Sequence, residues 1–136
     1  MLSLKAHNVI DYALALLLLF VPAFFGFDEI LVARNLFLLL GLLLLAYSLL
    51  TNYEYAAWRI LPLGAHMTLD LSIGLVLLMA PWVLGYRDLI TVGQELLHYL
   101  LGFGLIGFVA VTRSKTEAEK RALEPPLSSY FAAKHS

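Results

Sequence analysis

The feature that most constrains this chain is a set of four apolar stretches, each long enough to cross a lipid bilayer. They cover residues 8–27, 30–50, 65–84 and 89–111, and a membrane-spanning helix needs about 20 predominantly apolar residues. Of the 136 residues, 61% are hydrophobic and 14% are charged, which is more apolar surface than one aqueous core of this size buries. The sequence therefore predicts an integral membrane protein with four transmembrane helices.

Very short loops join these stretches in pairs. The segment "GFDE" joins the first two stretches, and "GYRD" joins the last two. Loops of this length force antiparallel helical hairpins. The segment between the two pairs, "TNYEYAAWRILPLGA", is rich in Tyr and Trp, which are typical of the membrane–water interface. The chain is thus predicted to form two helical hairpins joined by an interfacial linker.

The two hairpins carry the same sequence pattern. Several residues recur 59 positions later, namely His7 as His66, Asp11 as Asp70, Ala15 as Gly74, Pro22 as Pro81, Gly26 as Gly85 and Phe27 as Tyr86. Gly41 matches Gly102 only after an insertion of about two residues in the second copy. Because each copy contains two spans, both copies insert in the same direction. We therefore expect parallel repeats related by a pseudo-two-fold axis along the membrane normal.

The predicted fold is all-α, an integral membrane four-helix bundle made of two tandem two-helix hairpin repeats. We predict a transmembrane bundle over residues 1–112, with repeat one at 5–51 and repeat two at 64–112, followed by a charged cytoplasmic tail over 113–136. Basic residues near the spans favour the cytoplasm for both termini. On the side of the termini lie Lys5, Arg59, Arg113, Lys115, Lys120 and Arg121, and on the other side lie Arg34 and Arg87.

The repeated pattern resembles a known family of membrane proteins. An H-x-x-x-D motif, a small residue four positions later and then "APWVLGY" resemble the SPW-repeat family of small bacterial and archaeal membrane proteins, in which a Ser-Pro-Trp motif closes the first of two helices per repeat. The resemblance covers about residues 5–111, with Ala80 in place of the Ser and, in the first copy, Ala23 in place of the Trp. It implies a multi-pass protein of a prokaryotic inner membrane and brings no established activity.

Two His-Asp pairs are the main candidates for a site. His7 and Asp11 form one pair and His66 and Asp70 the other, and residues four apart share a helix face. Parallel repeats would place both pairs at one depth, where the four groups could converge. Three interpretations stay open, namely a packing hydrogen bond within each pair, proton or ion handling, and a metal site. The sequence favours the packing hydrogen bond, so we assign neither a metal nor a cofactor.

Prolines near the far end of the first and third spans have an architectural interpretation. Pro22 and Pro81 each remove a backbone donor and press against the carbonyl four residues earlier, that of Leu18 or Leu77. The glycine four residues after each proline then ends the helix. Together these features predict a bend and a stop. Trp82 is expected to anchor this end at the interface.

The fourth span carries three polar residues without counterparts in the first copy, namely Gln94, Glu95 and His98. Glu95 and His98 have the E-x-x-H spacing of di-iron bundles, but such sites need further carboxylates from other helices. We expect His98 to bond within the bundle, for example to Gln94 or Glu95. An interior pocket lined by His98 and haem ligation by it are the less favoured alternatives.

The sequence offers no nucleophile–base arrangement, so we expect no enzyme. The predicted function is a non-enzymatic membrane packing or partner-binding module in the lipid bilayer, acting as a homo-oligomer or with a membrane protein partner. The alternatives are a small transporter, channel or proton- and ion-handling protein that uses the His-Asp pairs, and a membrane enzyme or redox subunit centred on His98 and Glu95. The net charge of −1 gives no basic field for nucleic acid, and the lack of cysteine excludes disulfides and thiolate metal sites.

Overall fold

The computed structural model of the chain has four long helices and describes residues 4–52 and 56–123, with side chains described as far as residue 112. Helix α1 covers Leu4–Phe25, α2 Leu31–Leu50, α3 Leu63–Val83 and α4 Val92–Leu123, and a 3₁₀ turn at Arg87–Leu89 precedes α4. All four helices contain a stretch long and apolar enough to cross a membrane. The predicted all-α bundle of four spans is therefore confirmed.

Helix α4 begins three residues later than the predicted fourth span because its first turn has its own cap. The backbone N–H of Thr91 donates to Oε1 of Gln94 at 2.9 Å, and the N–H of Gln94 donates to Oγ1 of Thr91 at 3.3 Å. This reciprocal pair is a capping box, which fixes a helix start. At its other end α4 runs without a break to Leu123, so the predicted boundary at residue 112 stays a prediction. Residues 124–136 of the predicted tail lie outside the described residues.

Helices α1 and α3 end in the same way. Gly26 has φ 73° and Gly85 has φ 70°, a left-handed conformation that favours glycine because it has no Cβ. The next residue then donates its N–H back across the turn, from Phe27 to the Pro22 carbonyl and from Tyr86 to the Pro81 carbonyl, both at 3.0 Å. These bonds belong to the Schellman type of helix end. The predicted helix stop is therefore present in both repeats.

Glycines allow the two helices of each hairpin to pack closely. A Cβ placed on Gly41 would lie 3.0 Å from the Ala15 carbonyl oxygen, and one placed on Gly102 would lie 2.8 Å from the Gly74 carbonyl oxygen. Small residues at helix interfaces permit this close approach in membranes. Gly41 and Gly102 therefore occupy matching positions, as the sequence predicts. The two inserted residues lie between Gly85 and Val92, around the 3₁₀ turn.

The buried faces of α1 and α3 follow the same register. Every buried residue of α1 has a buried counterpart 59 positions later in α3, and these α1 residues are His7, Asn8, Asp11, Ala15, Leu18, Val21 and Pro22. The outer faces carry exposed large apolar side chains such as Phe24, Val83 and Val92. An apolar outer surface suits helices that face lipid. A site made of polar side chains is therefore to be sought in the interior of the bundle.

Candidate functional site

The structure brings His7, Asp11, His66 and Asp70 together near the starts of α1 and α3, and we call these four residues the His-Asp cluster. All four have 0% exposed surface. Nε2 of His66 lies 3.1 Å from Oδ2 of Asp11 and 3.1 Å from Oδ2 of Asp70. Nε2 of His7 lies 3.6 Å and 3.4 Å from the same two oxygens. Two nitrogens and two oxygens thus face one another, and the contacts run between the repeats as well as within each pair.

A threonine of the other hairpin contacts the second ring nitrogen of each histidine. Nδ1 of His66 lies 2.7 Å from Oγ1 of Thr51, at the end of α2. Nδ1 of His7 lies 2.9 Å from Oγ1 of Thr112, in α4. Thr51 and Thr112 are 61 positions apart, like Gly41 and Gly102. Each histidine is therefore anchored in the same way by the opposite repeat.

The threonines determine which ring nitrogen carries hydrogen. Thr51 donates its hydroxyl hydrogen to the Tyr47 carbonyl at 2.6 Å, and Thr112 donates to the Phe108 carbonyl at 3.0 Å. A hydroxyl has one hydrogen to donate, so its oxygen can only accept from the histidine. Nδ1–H of each histidine is therefore the donor. In a neutral ring this leaves the lone pair of Nε2 directed at the aspartates.

This arrangement requires protons or a metal cation between the histidines and the aspartates. A neutral Nε2 and a carboxylate oxygen are both acceptors, and a buried charge without compensation is very unfavourable. The contact is resolved by a proton between each Nε2 and a carboxylate oxygen, held by the nitrogen or by the oxygen, or by a metal cation among the four atoms. Two ionised aspartates carry a charge of −2, which two protons or one divalent cation would neutralise.

The distances within the cluster suit a small tetrahedral cation. Bonds of about 2.0–2.1 Å from Zn²⁺ to nitrogen and oxygen place neighbouring ligand atoms about 3.3 Å apart. The four nitrogen–oxygen distances run from 3.1 to 3.6 Å, and one ligand atom from each residue lies within 4.8 Å of all the others. Metal-binding histidines usually donate their other N–H to a partner that fixes the ring. Thr51 and Thr112 occupy that position here.

The cluster departs from symmetry at its aspartates. The Tyr47 hydroxyl donates to Oδ1 of Asp70, and its ring meets that of His66 edge-on with centroids 4.8 Å apart. The matching residue of α4 is Phe108, whose ring stacks on His7 at 4.3 Å. Phenylalanine has no hydroxyl, and Oδ1 of Asp11 has no hydrogen-bond partner among the described residues. A hydroxyl thus holds Oδ1 of Asp70, whereas Oδ1 of Asp11 has no partner among the described residues.

Comparison with known proteins agrees with this repeated architecture. The profile of a family described as the SPW repeat domain matches residues 5–121, which is most of the chain. The chain belongs to the SPW repeat domain family. Searches of curated proteins and of solved structures found no match. Family membership and the four apolar helices together make this SPW repeat protein a multi-pass membrane protein.

His98 of this SPW repeat protein lies in a different part of the bundle and has structural partners. Its Nδ1 donates to the Leu77 carbonyl at 3.0 Å, and the Tyr86 hydroxyl donates to its Nε2 at 3.2 Å. The Leu77 carbonyl lies four residues before Pro81, which cannot donate to it. Burial raises the pKa of Tyr86 well above its ordinary range, which keeps the hydroxyl protonated as a donor. His98 thus bonds to Leu77 and Tyr86, so the prediction that it bonds to Gln94 or Glu95 is wrong. Both of its ring nitrogens are bonded.

Gln94 and Glu95 connect helix ends in the same region. Nε2 of Gln94 donates to the carbonyls of Phe25 and Gly26 at 2.8 and 3.1 Å, which ties the start of α4 to the end of α1. Glu95 accepts from the Tyr99 hydroxyl at 3.1 Å and lies 3.6 Å from the Arg87 guanidinium. These contacts give both residues roles in packing.

The proline and tryptophan candidates lie at the same end of the bundle. Pro22 and Pro81 are buried within α1 and α3. Trp82 is 45% exposed, with its ring 5.9 Å from that of Tyr99. This exposure is compatible with the interfacial anchor, which stays a prediction.

Four residues around the cluster were missed from the sequence, namely Tyr47, Thr51, Phe108 and Thr112. A signal for them was present, because the two-residue insertion that aligns Gly41 with Gly102 also aligns Thr51 with Thr112 and Tyr47 with Phe108. Thr51 and Thr112 directly follow the second and fourth predicted spans, however, and the alignment gains meaning only once the histidines are known to meet.

Proposed function

We propose that this SPW repeat protein is a non-enzymatic membrane protein that binds one divalent metal cation in the His-Asp cluster. The ligands would be Nε2 of His7 and His66 and Oδ2 of Asp11 and Asp70. One observation carries the proposal, namely the two threonine contacts that commit each Nδ1–H and leave both Nε2 lone pairs directed at the carboxylates. The sequence alone favours a packing hydrogen bond within each His-Asp pair. This geometry leads us to propose a metal site instead.

The donor set points to a first-row transition metal, with Zn²⁺ as the first candidate. Imidazole nitrogen suits zinc, copper, iron and nickel, whereas calcium and magnesium prefer sites made of oxygen alone. Two neutral imidazoles, two carboxylates and a divalent ion give a site without net charge, which a buried position favours. The spacing of the ligand atoms supports tetrahedral coordination.

We further propose that the two repeats are parallel and that the cluster lies toward the cytoplasm. Two contact regions support the parallel arrangement, because α1 and α3 meet at the cluster and the segments that follow them also meet. In the second region the Phe27 ring lies 5.6 Å from that of His98, to which Tyr86 is bonded. The distribution of Lys and Arg supports cytoplasmic termini, and the family supports a prokaryotic inner membrane.

A second candidate function is proton handling, in which the cluster holds one proton on each histidine in place of the metal. Oδ1 of Asp11 supports this candidate, because it has no hydrogen-bond partner among the described residues and leaves an acceptor next to the histidines. The partner-binding module predicted from the sequence also stays a proposal. Its support is the exposed apolar surface of the helices, which lipid or a second membrane protein would cover.

Metal analysis of the purified protein tests the principal proposal. Protein in detergent, dialysed against Zn²⁺ and then against buffer, is expected to retain about one ion per chain, and Co²⁺ in its place should give the intense visible bands of tetrahedral cobalt. The variants His66→Gln and Asp70→Asn should lose the ion, whereas His98→Gln, which changes a buried histidine outside the cluster, should retain it. Circular dichroism and gel filtration check that each variant is folded. A folded parent protein that retains no first-row metal would rule out metal binding and leave proton handling.

A further inference from the structure

Three buried polar groups of the first hairpin have no hydrogen-bond partner among the described residues. They are the side-chain amide of Asn8, Oδ1 of Asp11 and the hydroxyl of Ser48, and all three side chains have 0% exposed surface. Nearly all buried polar groups of native proteins bond to protein or to ordered water. Three such groups in one hairpin therefore indicate a place that receives water or a ligand.

Helix geometry places these groups next to one another. Gly41 of α2 packs on Ala15 of α1, and α1 and α2 are antiparallel. Seven residues make almost two full turns, or about 10.5 Å along the axis. Ser48 and Asn8 lie seven residues from Gly41 and Ala15 in the same direction along the bundle, so they face each other across the hairpin. Asn8 is also three residues from Asp11, which makes the two neighbours on the surface of α1.

The second hairpin shows that the fold does not require polar residues at this place. The residue that matches Asn8 is Met67, and the residue that matches Ser48 is Val109. Both are buried, with 6% and 4% exposed surface. The same position between α3 and α4 is thus filled by apolar side chains, and Asp70 beyond it is bonded to Tyr47. Polar side chains therefore occupy this place in the first hairpin and apolar ones in the second.

We infer that Asn8 and Ser48 line a hydrated entrance between α1 and α2 through which a cation reaches Asp11 and the His-Asp cluster. The inference rests on the proposed function for the identity of the cation. The amide and hydroxyl supply oxygens that replace part of the hydration shell of the ion, and Asp11 is the first charged ligand it meets. The anchored Asp70 lies on the closed side.

Thiol labelling tests the entrance independently of metal binding, because the chain has no native cysteine. The variant Ser48→Cys and its matched control Val109→Cys are treated in detergent with a positively charged methanethiosulfonate, which reacts with hydrated thiolates. We expect Ser48→Cys to react at least about tenfold faster than Val109→Cys, a difference of 1.4 kcal/mol in barrier. Equal rates, or faster labelling of Val109→Cys, would overturn the inference.

Release kinetics then connect the entrance to the cluster. The double variant Asn8→Met and Ser48→Val gives the first hairpin the residues of the second and removes two unpartnered groups, so its Tm should rise. It should still bind one Zn²⁺ but release it to excess chelator at least about tenfold more slowly, whereas Met67→Leu should release it at the parent rate. An unchanged release rate in the double variant contradicts the inference. A parent protein that binds no Zn²⁺ but shows the labelling difference refutes the proposed metal and leaves the hydrated entrance standing.

Discussion

The hydroxyl of Tyr47 donates a hydrogen bond to Oδ1 of Asp70, so a residue of the first repeat holds a carboxylate of the second. The reciprocal contact is missing, because the matching residue of α4 is Phe108, which stacks on His7 and has no hydroxyl. One substitution between otherwise similar repeats thus makes the two aspartates unequal. In the proposed metal site, Asp70 is the ligand whose second oxygen is hydrogen-bonded, and Asp11 is the ligand whose second oxygen is not.

Loss of the Tyr47 hydroxyl should weaken metal binding. The variant Tyr47→Phe leaves Oδ1 of Asp70 without its donor, and loss of an outer partner of a metal ligand typically lowers affinity about 10- to 100-fold. Titration calorimetry with Zn²⁺ measures the change. The control is Tyr99→Phe, which removes a hydroxyl bonded to Glu95 and should leave the affinity unchanged. Equal affinities for parent and Tyr47→Phe would show that Asp70 needs no anchor.

Adding a hydroxyl at the matching position of the second repeat should strengthen metal binding. By the match between the repeats, the variant Phe108→Tyr is expected to offer a hydroxyl to Oδ1 of Asp11, as Tyr47 does to Oδ1 of Asp70. Zn²⁺ affinity should rise, by about tenfold or more for one hydrogen bond to a charged group, and release should slow. Weaker binding in a folded Phe108→Tyr protein would contradict the match between Tyr47 and Phe108.

The threonine anchors can be removed with almost no change in shape. Thr51→Val replaces the hydroxyl by a methyl group, so Nδ1–H of His66 loses its acceptor and the ring is free to rotate. We expect Zn²⁺ affinity to fall about 10- to 100-fold and Thr51→Ser to restore most of it. Thr68→Val is the matched control, because the exposed Thr68 hydroxyl bonds only to the Gly64 carbonyl of its own helix among the described contacts. A loss of similar size in the control would point to a general effect on the bundle.

The sequence predicted the helices of this protein because its spans are long and apolar. The helix ends at Gly26 and Gly85 could also be predicted, because the repeated prolines and glycines determine the backbone conformation locally. The start of α4 was misplaced, because its position depends on a capping box rather than on hydropathy. Local chemistry therefore accounts both for what was predicted and for this error.

The cluster could be predicted only in part. Spacing placed His7 with Asp11 and His66 with Asp70, but it did not determine whether the pairs face each other. That depends on which sides of α1 and α3 face the bundle axis, and the packing at Gly41 and Gly102 helps to fix this. His98 shows the same difficulty, because its partner is a carbonyl on another helix that Pro81 leaves without a donor.

Close packing of the hairpins predicts opposite effects for two neighbouring glycines. Gly102→Ala would place a methyl group 2.6 Å from the Leu78 side chain and 2.8 Å from the Gly74 carbonyl oxygen, so we expect the free energy of unfolding to fall by about 1–3 kcal/mol. Gly104→Ala meets nothing within 4 Å and should raise it by about 0.5–1 kcal/mol through helix propensity. Unfolding in mixed detergent measures both variants. A shift of the same sign in both would contradict the observed close packing of α3 and α4.

The contact between Tyr86 and His98 should contribute to stability in a pH-dependent way. Tyr86→Phe gives this position the residue found at Phe27 and leaves Nε2 of His98 without a donor, which should lower the free energy of unfolding by about 1–3 kcal/mol. Burial raises the pKa of Tyr86 in the folded protein, whereas the tyrosine side chain in the unfolded chain has its ordinary pKa of about 10.

As the pH rises above about 10, the unfolded state loses this proton before the folded state does, so the contribution of Tyr86 is complete below that pH and declines above it. Unfolding measured from pH 7 to 11 should therefore show a steeper loss of stability in the parent protein than in Tyr86→Phe. Parallel pH profiles would mean that the Tyr86 hydroxyl ionises equally readily in both states. Zn²⁺ binding at neutral pH should be the same in both proteins, because His98 lies outside the His-Asp cluster.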